Sequence, residues 1–372
     1  METQFVTTVT IKRLNDATGE VMATIAEHRF QLEHAGISMA RYYAVAGQPY
    51  MLLLKRDAGP FQKNKPHIYR LNSNGALGEL VNLAQPHLPP VDLGSGWTAA
   101  NFLTVGHKAC LVLHNAHTGR INLYQPLADG RLRLKSSYEL NDLKHKDRFG
   151  LYAYQGKSYC FGLNTGTGEA VFYTVNGEKI GDNLFTPGWT SVDHLTVNGQ
   201  TYRLLYKATH QPVSGADRPR HRAGRLAISH LSAQGLDSEL IYDNVLPAGW
   251  TIARFFKLRD SYAIMLYNRH NGRYQIRHFG EWAGVGTVFH SGNIGAGWTD
   301  LEPYTMRDLP YLMALNEDSV DPVYVDDIDS LIAPKCTHQK KQPPPSTRRS
   351  GLPAPARLPG PNQPQQLSHV CP

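Results

Sequence analysis

Apolar residues in this chain fall in short runs broken by turn residues, and long stretches of helical spacing are scarce. The strongest runs are YMLLL (50–54), CLVLHN (110–115), YCFGLN (159–164), RLLYK (203–207), AIMLYN (263–268) and YLMALN (311–316). Each is apolar at successive positions, as in a strand covered on both faces, and most end in Asn or Lys. The segments that follow, such as INLYQPL (121–127) and YQIRHF (274–279), alternate instead, as in a strand with one wetter face. Between them lie His117-Thr118-Gly119, Ala128-Asp129-Gly130, Val175-Asn176-Gly177, Asn74-Gly75 and Asn271-Gly272, whose glycines suit the positive φ of tight hairpins.

These runs belong to a repeat. Gly-Trp-Thr occurs four times, with Trp97, Trp189, Trp250 and Trp298, and the chain holds five tryptophans altogether, so the tripeptide is not chance. Six positions beyond each Trp stands Leu103, Leu195, Phe256 or Tyr304, and eighteen beyond stands Asn115, Lys207, Asn268 or Asn316. Degenerate copies begin at Gly36-Ile37 and near Phe149, which brings the number to six. Each copy reads as four strands. A sheet of that size cannot bury both faces alone, and radial stacking of six buries them against one another. The pattern therefore predicts an all-β, six-bladed β-propeller with four-stranded blades. Two β-sandwiches are the competing architecture, but a six-fold repeat has no reason to exist in them.

The termini add a constraint. The sixth copy has two strands, TDLEPYTMR and LPYLMALN, and lacks a second hairpin. The N-terminus, VTTVTIKRLNDATGEVMATIAEHRF, has a hairpin with its turn at Thr18-Gly19 and no strands to precede it. The ring is expected to close by adding that hairpin to the last blade, which removes exposed sheet edges. The blades are placed at about 35–93, 94–145, 146–186, 187–247, 248–295, and 296–333 plus 1–34. Residues 334–372 hold ten of the 24 prolines and little apolar content, and read as a disordered basic Pro-rich tail.

Charge changes the picture only at that tail. Lys335, Lys340, Lys341, Arg348, Arg349 and Arg357 account for most of the +7 net charge, which leaves the body near neutral and argues against a nucleic-acid groove. No run approaches a transmembrane length, and Met1–Arg13 lacks the apolar core of a signal peptide. The expectation is a soluble cytoplasmic protein, with export by a specialised route leaving no readable mark. Cys110 and Cys160 sit at equivalent points of successive copies and read as small buried hydrophobes; Cys336 and Cys371 lie in the tail.

Three groups are candidates for chemistry. The indoles of Trp97, Trp189, Trp250 and Trp298 could stack on sugars as repeated shallow sites, or wedge between blades as packing. Packing is favoured, because the degenerate copies carry other apolar residues. An insertion in the fourth copy sets Arg218, Arg220, His221 and Arg222 in one loop, an anion-binding candidate against a plain solvated loop. The acidic run Glu317, Asp318, Asp321, Asp326, Asp327 and Asp329 fits no metal template. His114 and His117 stand three apart at a strand end, with no defined geometry. No hydrolase, nucleotide or metal motif is present, and no cofactor is implied.

The units GWTSVDHLTVNGQTYRLLYK and GWTIARFFKLRDSYAIMLYNRHNG resemble a tandem repeat of microbial proteins of largely unassigned role. More loosely, residues 1–333 are similar to lectin propellers of the tachylectin and tectonin type. That resemblance implies a non-enzymatic recognition module for glycans or a cell or protein surface. None of those lectins' sugar-contacting motifs matches here, so no binding residue is carried over. Two other readings remain: a hydrolase or lyase with its site in the central channel, and an interaction scaffold or toxin- or secretion-associated component. In the scaffold reading the tail is a tether, or a ligand for a proline-recognising partner.

Overall fold

The structure is a computed structural model. It describes residues 5–32, 37–54, 66–81, 93, 96–105, 108–208, 223–232, 237–247, 249–259, 261–280 and 284–319. Arg218, Arg220, His221 and Arg222, the tail, and the acidic run beyond Ser319 lie outside these residues, and so do the side chains of Glu317 and Asp318.

Among the described residues, twenty-four strands form six four-stranded antiparallel sheets, the six-bladed propeller expected from the repeat. Blade I is β3 (Met39–Val45), β4 (Gln48–Leu54), β5 (His67–Leu71) and β6 (Leu77–Leu80). Blade II is β7 (Ala99–Val105), β8 (Lys108–Asn115), β9 (Arg120–Pro126) and β10 (Leu132–Glu139). Blade III is β11 (Arg148–Tyr154), β12 (Lys157–Leu163), β13 (Glu169–Thr174) and β14 (Lys179–Leu184). Blade IV is β15 (Ser191–Val197), β16 (Gln200–Ala208), β17 (Ala223–Leu231) and β18 (Asp237–Pro247). Blade V is β19 (Ile252–Lys257), β20 (Tyr262–Tyr267), β21 (Arg273–Gly280) and β22 (Gly284–Asn293).

Blade VI joins the two ends of the propeller. Its strands β23 (Asp300–Met306) and β24 (Leu309–Ser319) are followed in space by β1 (Phe5–Leu14) and β2 (Val21–Leu32). β1 pairs with β24 from Phe5↔Ser319 to Arg13↔Tyr311 without a slip. Val9 and Ile11 are wholly buried in this pairing, which fixes the register, since a one-residue shift would turn both toward the opposite face.

The apolar runs form the second strand of each blade. Apart from its first residue, β4 is buried throughout, and so is β12, because a blade lies against each face. The fourth strands are the wet rim: β10 and β14 are mostly exposed. The buried apolar residues sort into wedges between neighbouring blades. Cys110 and Cys160 are free and buried in the wedge between blades II and III, where burial pushes their thiols up to about 11 and about 12.

The Gly-Trp-Thr tripeptide is a joint. Its threonine clamps the start of each inner strand to the end of the second: Thr98, Thr190, Thr251 and Thr299 each donate the hydroxyl to a carbonyl, of His114, Tyr206, Tyr267 and Leu315, at 3.1 Å. Its glycine has positive φ, and the residue eighteen beyond the Trp packs on it. A Cβ on Gly249, at φ +106°, would stand 2.8 Å from Asn268 Nδ2. Lys207 packs on Gly188 in the same way, and the recurring Asn also organises the next turn: Asn115 Oδ1 accepts the His117 and Thr118 N–H at 2.9 and 3.1 Å, and Asn268 Oδ1 the His270 N–H at 2.9 Å.

Candidate functional site

The indoles occupy the wedges. Trp97, Trp189 and Trp250 are 1%, 3% and 6% exposed, and Trp298 is half-buried against the wedge between blades V and VI. Trp97 and Trp298 donate their Nε1–H to the carbonyls of Leu93 and Ile294. Blade III has no Trp, and Leu143 and Lys146 fill the space beside Gly162 instead. Buried this way, Trp97, Trp189 and Trp250 offer no face on which a sugar could stack.

The converging chemistry lies on the inner strands. Aligned by register, the third residues of β3, β7, β11, β15, β19 and β23 are Arg41, Asn101, Gly150, Asp193, Arg254 and Glu302. Asp300 begins β23. Four of these six positions are charged and one is an amide, so the axis is lined with polar groups from every blade but the third.

Most of this charge stitches the blades together. Arg41 donates Nε–H to the Ala100 carbonyl at 2.6 Å and Nη1–H to Asp300 Oδ2 at 2.6 Å, so it links blade I to both neighbours. Asn101 donates to the Phe149 carbonyl at 3.3 Å, and Arg148 to the Thr190 carbonyl at 2.8 Å. Asp193 Oδ2 accepts the Phe255 N–H at 2.7 Å, and its Oδ1 accepts the His194 N–H at 2.9 Å. Arg254 reaches back to the Val192 carbonyl at 3.4 Å and forward to Asp300 Oδ1 at 3.7 Å. Every gap around the ring is thus bridged by at least one polar side chain.

Three groups are less fully used. Glu302 meets Arg41 only at 3.6 Å and, among the described residues, takes no hydrogen bond. Burial is the main cause that pushes its carboxyl up to about 7; Asp300 and Asp193 add to this while Arg41 and Arg254 oppose it. Burial also raises Asp193, against Arg254 and two backbone N–H groups that favour its ionised form. The ring nitrogens of His194 are buried without a hydrogen bond, and its ring stacks on Tyr152 at 4.9 Å. Burial, with Arg203 behind it, holds His194 neutral. Arg203 itself sits over the rings of Phe161, Phe172 and Phe185.

Two spaces that share Arg41, Asn101, Phe149, Val192 and Arg254 in their walls lie here. A cavity of about 640 Å³ opens at the end where the inner strands begin, bordered by the four Gly-Trp-Thr threonines, Arg41, Asn101, Arg254 and Asp300. A deeper space of about 220 Å³ is lined by Arg41, Asn101, Asp193, His194, Arg254 and Glu302. His117 borders the mouth, whereas His114 is buried, stacked on Phe149 at 4.5 Å and lowered to about 4 by burial. The two histidines that looked paired in the sequence therefore face different surroundings. Among the described residues no group of His, Cys, Asp and Glu is arranged to hold a metal ion. Among the described residues no helix is long and apolar enough to cross a membrane.

The signal for this site was present in the repeat: the fourth residue after each Trp is Asn101, Asp193, Arg254 or Glu302. The apolar positions of the repeat specify the fold, and the polar position between them carries the site.

No family model matches the chain, and no curated protein matches it. Solved structures with a similar course include BBS1N in complex with ARL6DN, at 12% identity over 75% of this chain and 93% of that one, TM-score 0.41. An α-L-arabinofuranosidase from Clostridium thermocellum is 11% identical over 67% and 92%, TM-score 0.41. A protein from Lactobacillus plantarum is 10% identical over 78% and 97%, TM-score 0.40. Likeness at this level says nothing of activity.

Proposed function

We propose that this chain is a propeller enzyme of the hydrolase or lyase class that acts in its central channel on a small hydroxylated substrate of carbohydrate type. The observation that supports this reading is the convergence of Arg41 and Arg254 with Asp300 on the larger cavity and with Asp193 and Glu302 on the smaller space beside it, from inner strands of four different blades. The volume of about 640 Å³ falls within the ~300–1,000 Å³ of small-molecule sites. Its wall of hydroxyls, carboxamide, carboxylates and guanidiniums suits a ligand rich in donors and acceptors.

The carboxyls divide the work by environment. Asp300 is buried and bound to Arg41, which makes it part of the frame. Asp193 is held in place by two backbone N–H groups and serves as the acceptor. Glu302 has no hydrogen bond to hold its charge, exchanges a proton near neutral pH, and serves as general acid and base.

A panel of glycosides assayed with the wild-type chain and Glu302→Gln tests this. Turnover that falls about 10²–10⁴-fold in the variant, with ligand binding kept, supports the reading. Turnover unchanged in Glu302→Gln overturns it. Glycan binding with no turnover in either protein returns the recognition reading, with the channel rather than the tryptophans as the site.

A further inference from the structure

The charges at the cavity mouth are unbalanced in a particular way. Arg41, Arg148, Arg254 and Arg269 face Asp147 and Asp300. Both aspartates are engaged: Asp300 by Arg41 at 2.6 Å, and Asp147 by the Thr165 N–H and hydroxyl at 2.7 Å each and by Arg148 at 3.3 Å. Arg41 and Arg148 are in turn committed to the neighbouring carbonyls already described. Arg254 and Arg269 remain. Arg254 makes two long contacts, at 3.4 and 3.7 Å, acts electrostatically on Asp193 and Glu302, and keeps its Nε buried without a partner. Arg269 is exposed, and among the described residues its guanidinium has no ion pair or hydrogen bond. Both belong to blade V, one on β19 and one on the turn after β20.

A guanidinium left with open donors beside a cavity is suited to an oxyanion, which it can hold through two parallel hydrogen bonds. Resting on the channel reading above, we propose that the substrate carries an oxyanion group, carboxylate or phosphate, and that Arg254 receives it. Arg269 draws the anion to the mouth from solution. The hydroxylated remainder then lies toward Asn101, Asp193 and Glu302 in the deeper space.

Calorimetric titration of the full chain with glucuronate, glucose 6-phosphate and glucose tests this at low and physiological salt. At least one oxyanion is expected to bind ten-fold or more tighter than glucose, and the better of the two identifies the group. The preference should fall at least ten-fold in Arg254→Gln, return in part in Arg254→Lys, and fall less in Arg269→Gln. It should weaken with salt in wild type more than in Arg269→Gln. Arg269 is exposed and, among the described residues, its guanidinium takes no hydrogen bond or ion pair, so its variant tests the mouth even where Arg254→Gln fails to fold. Glucose binding as tightly as both oxyanions overturns the inference while leaving a channel site for a neutral ligand. A preference that survives in the double variant, or no binding of any probe, overturns it too. Loss of the Glu302 dependence of turnover, with the preference kept, strikes at the catalytic reading instead.

Discussion

At the residue scale, tripeptide and channel make opposite demands. Trp250 fills a wedge, and removing it leaves a hole that two rigid blades cannot close. Trp250→Ala is expected to cost about 3–5 kcal/mol in a urea or thermal unfolding experiment. Retention of wild-type stability would contradict the packing role. Gly249→Ala adds a Cβ at positive φ and against Asn268, and a loss of about 1–3 kcal/mol is expected on the same measurement. Glu302 acts through pH. Its folded value of about 7 lies above the ordinary 4.5, so its protonated form stabilises the fold. That stabilisation is complete below pH 4.5 and is lost as pH rises toward 7. The melting temperature of Glu302→Gln, compared with wild type at pH 5 and pH 8, should show a smaller fall between the two.

At the scale of elements, the repeat made much of the architecture legible. A four-strand unit that cannot bury itself, with a hairpin missing at one end of the chain and present at the other, leaves a closed ring as the consistent solution. β1 against β24 follows from that mismatch. Deleting residues 1–32 leaves β24 as an open edge and uncovers the wedge behind Val9 and Ile11. The truncated chain is expected to aggregate or elute as large species on size exclusion, whereas a monomer with native circular dichroism would contradict the closure. The channel was less legible for a physical reason. Five of the six inner strands carry a single charged or amide residue at the shared register, and the sixth carries Gly150; each in isolation reads as an ordinary solvated position. Only closure brings Arg41, at one end of the ring's sequence order, beside Asp300, at the other. The loop Arg218–Arg222 and the tail lie outside the described residues.

Across the whole molecule, wedges and girdle make one object. Apolar wedges hold blade to blade over their broad faces, and polar side chains bridge the same neighbours at the axis. The girdle consumes most of the channel's charge, and what it leaves over, Glu302, His194 and the open donors of Arg254, can act on a ligand together with Asp193. The most direct measurement of that claim is a ¹³C NMR titration of the Glu302 carboxyl, assigned by its loss in Glu302→Gln and repeated in Arg254→Gln. The account predicts a midpoint near 7 in wild type, and a higher one in Arg254→Gln, where a charge that favours ionisation is gone. An ordinary midpoint near 4.5 in both proteins would contradict it.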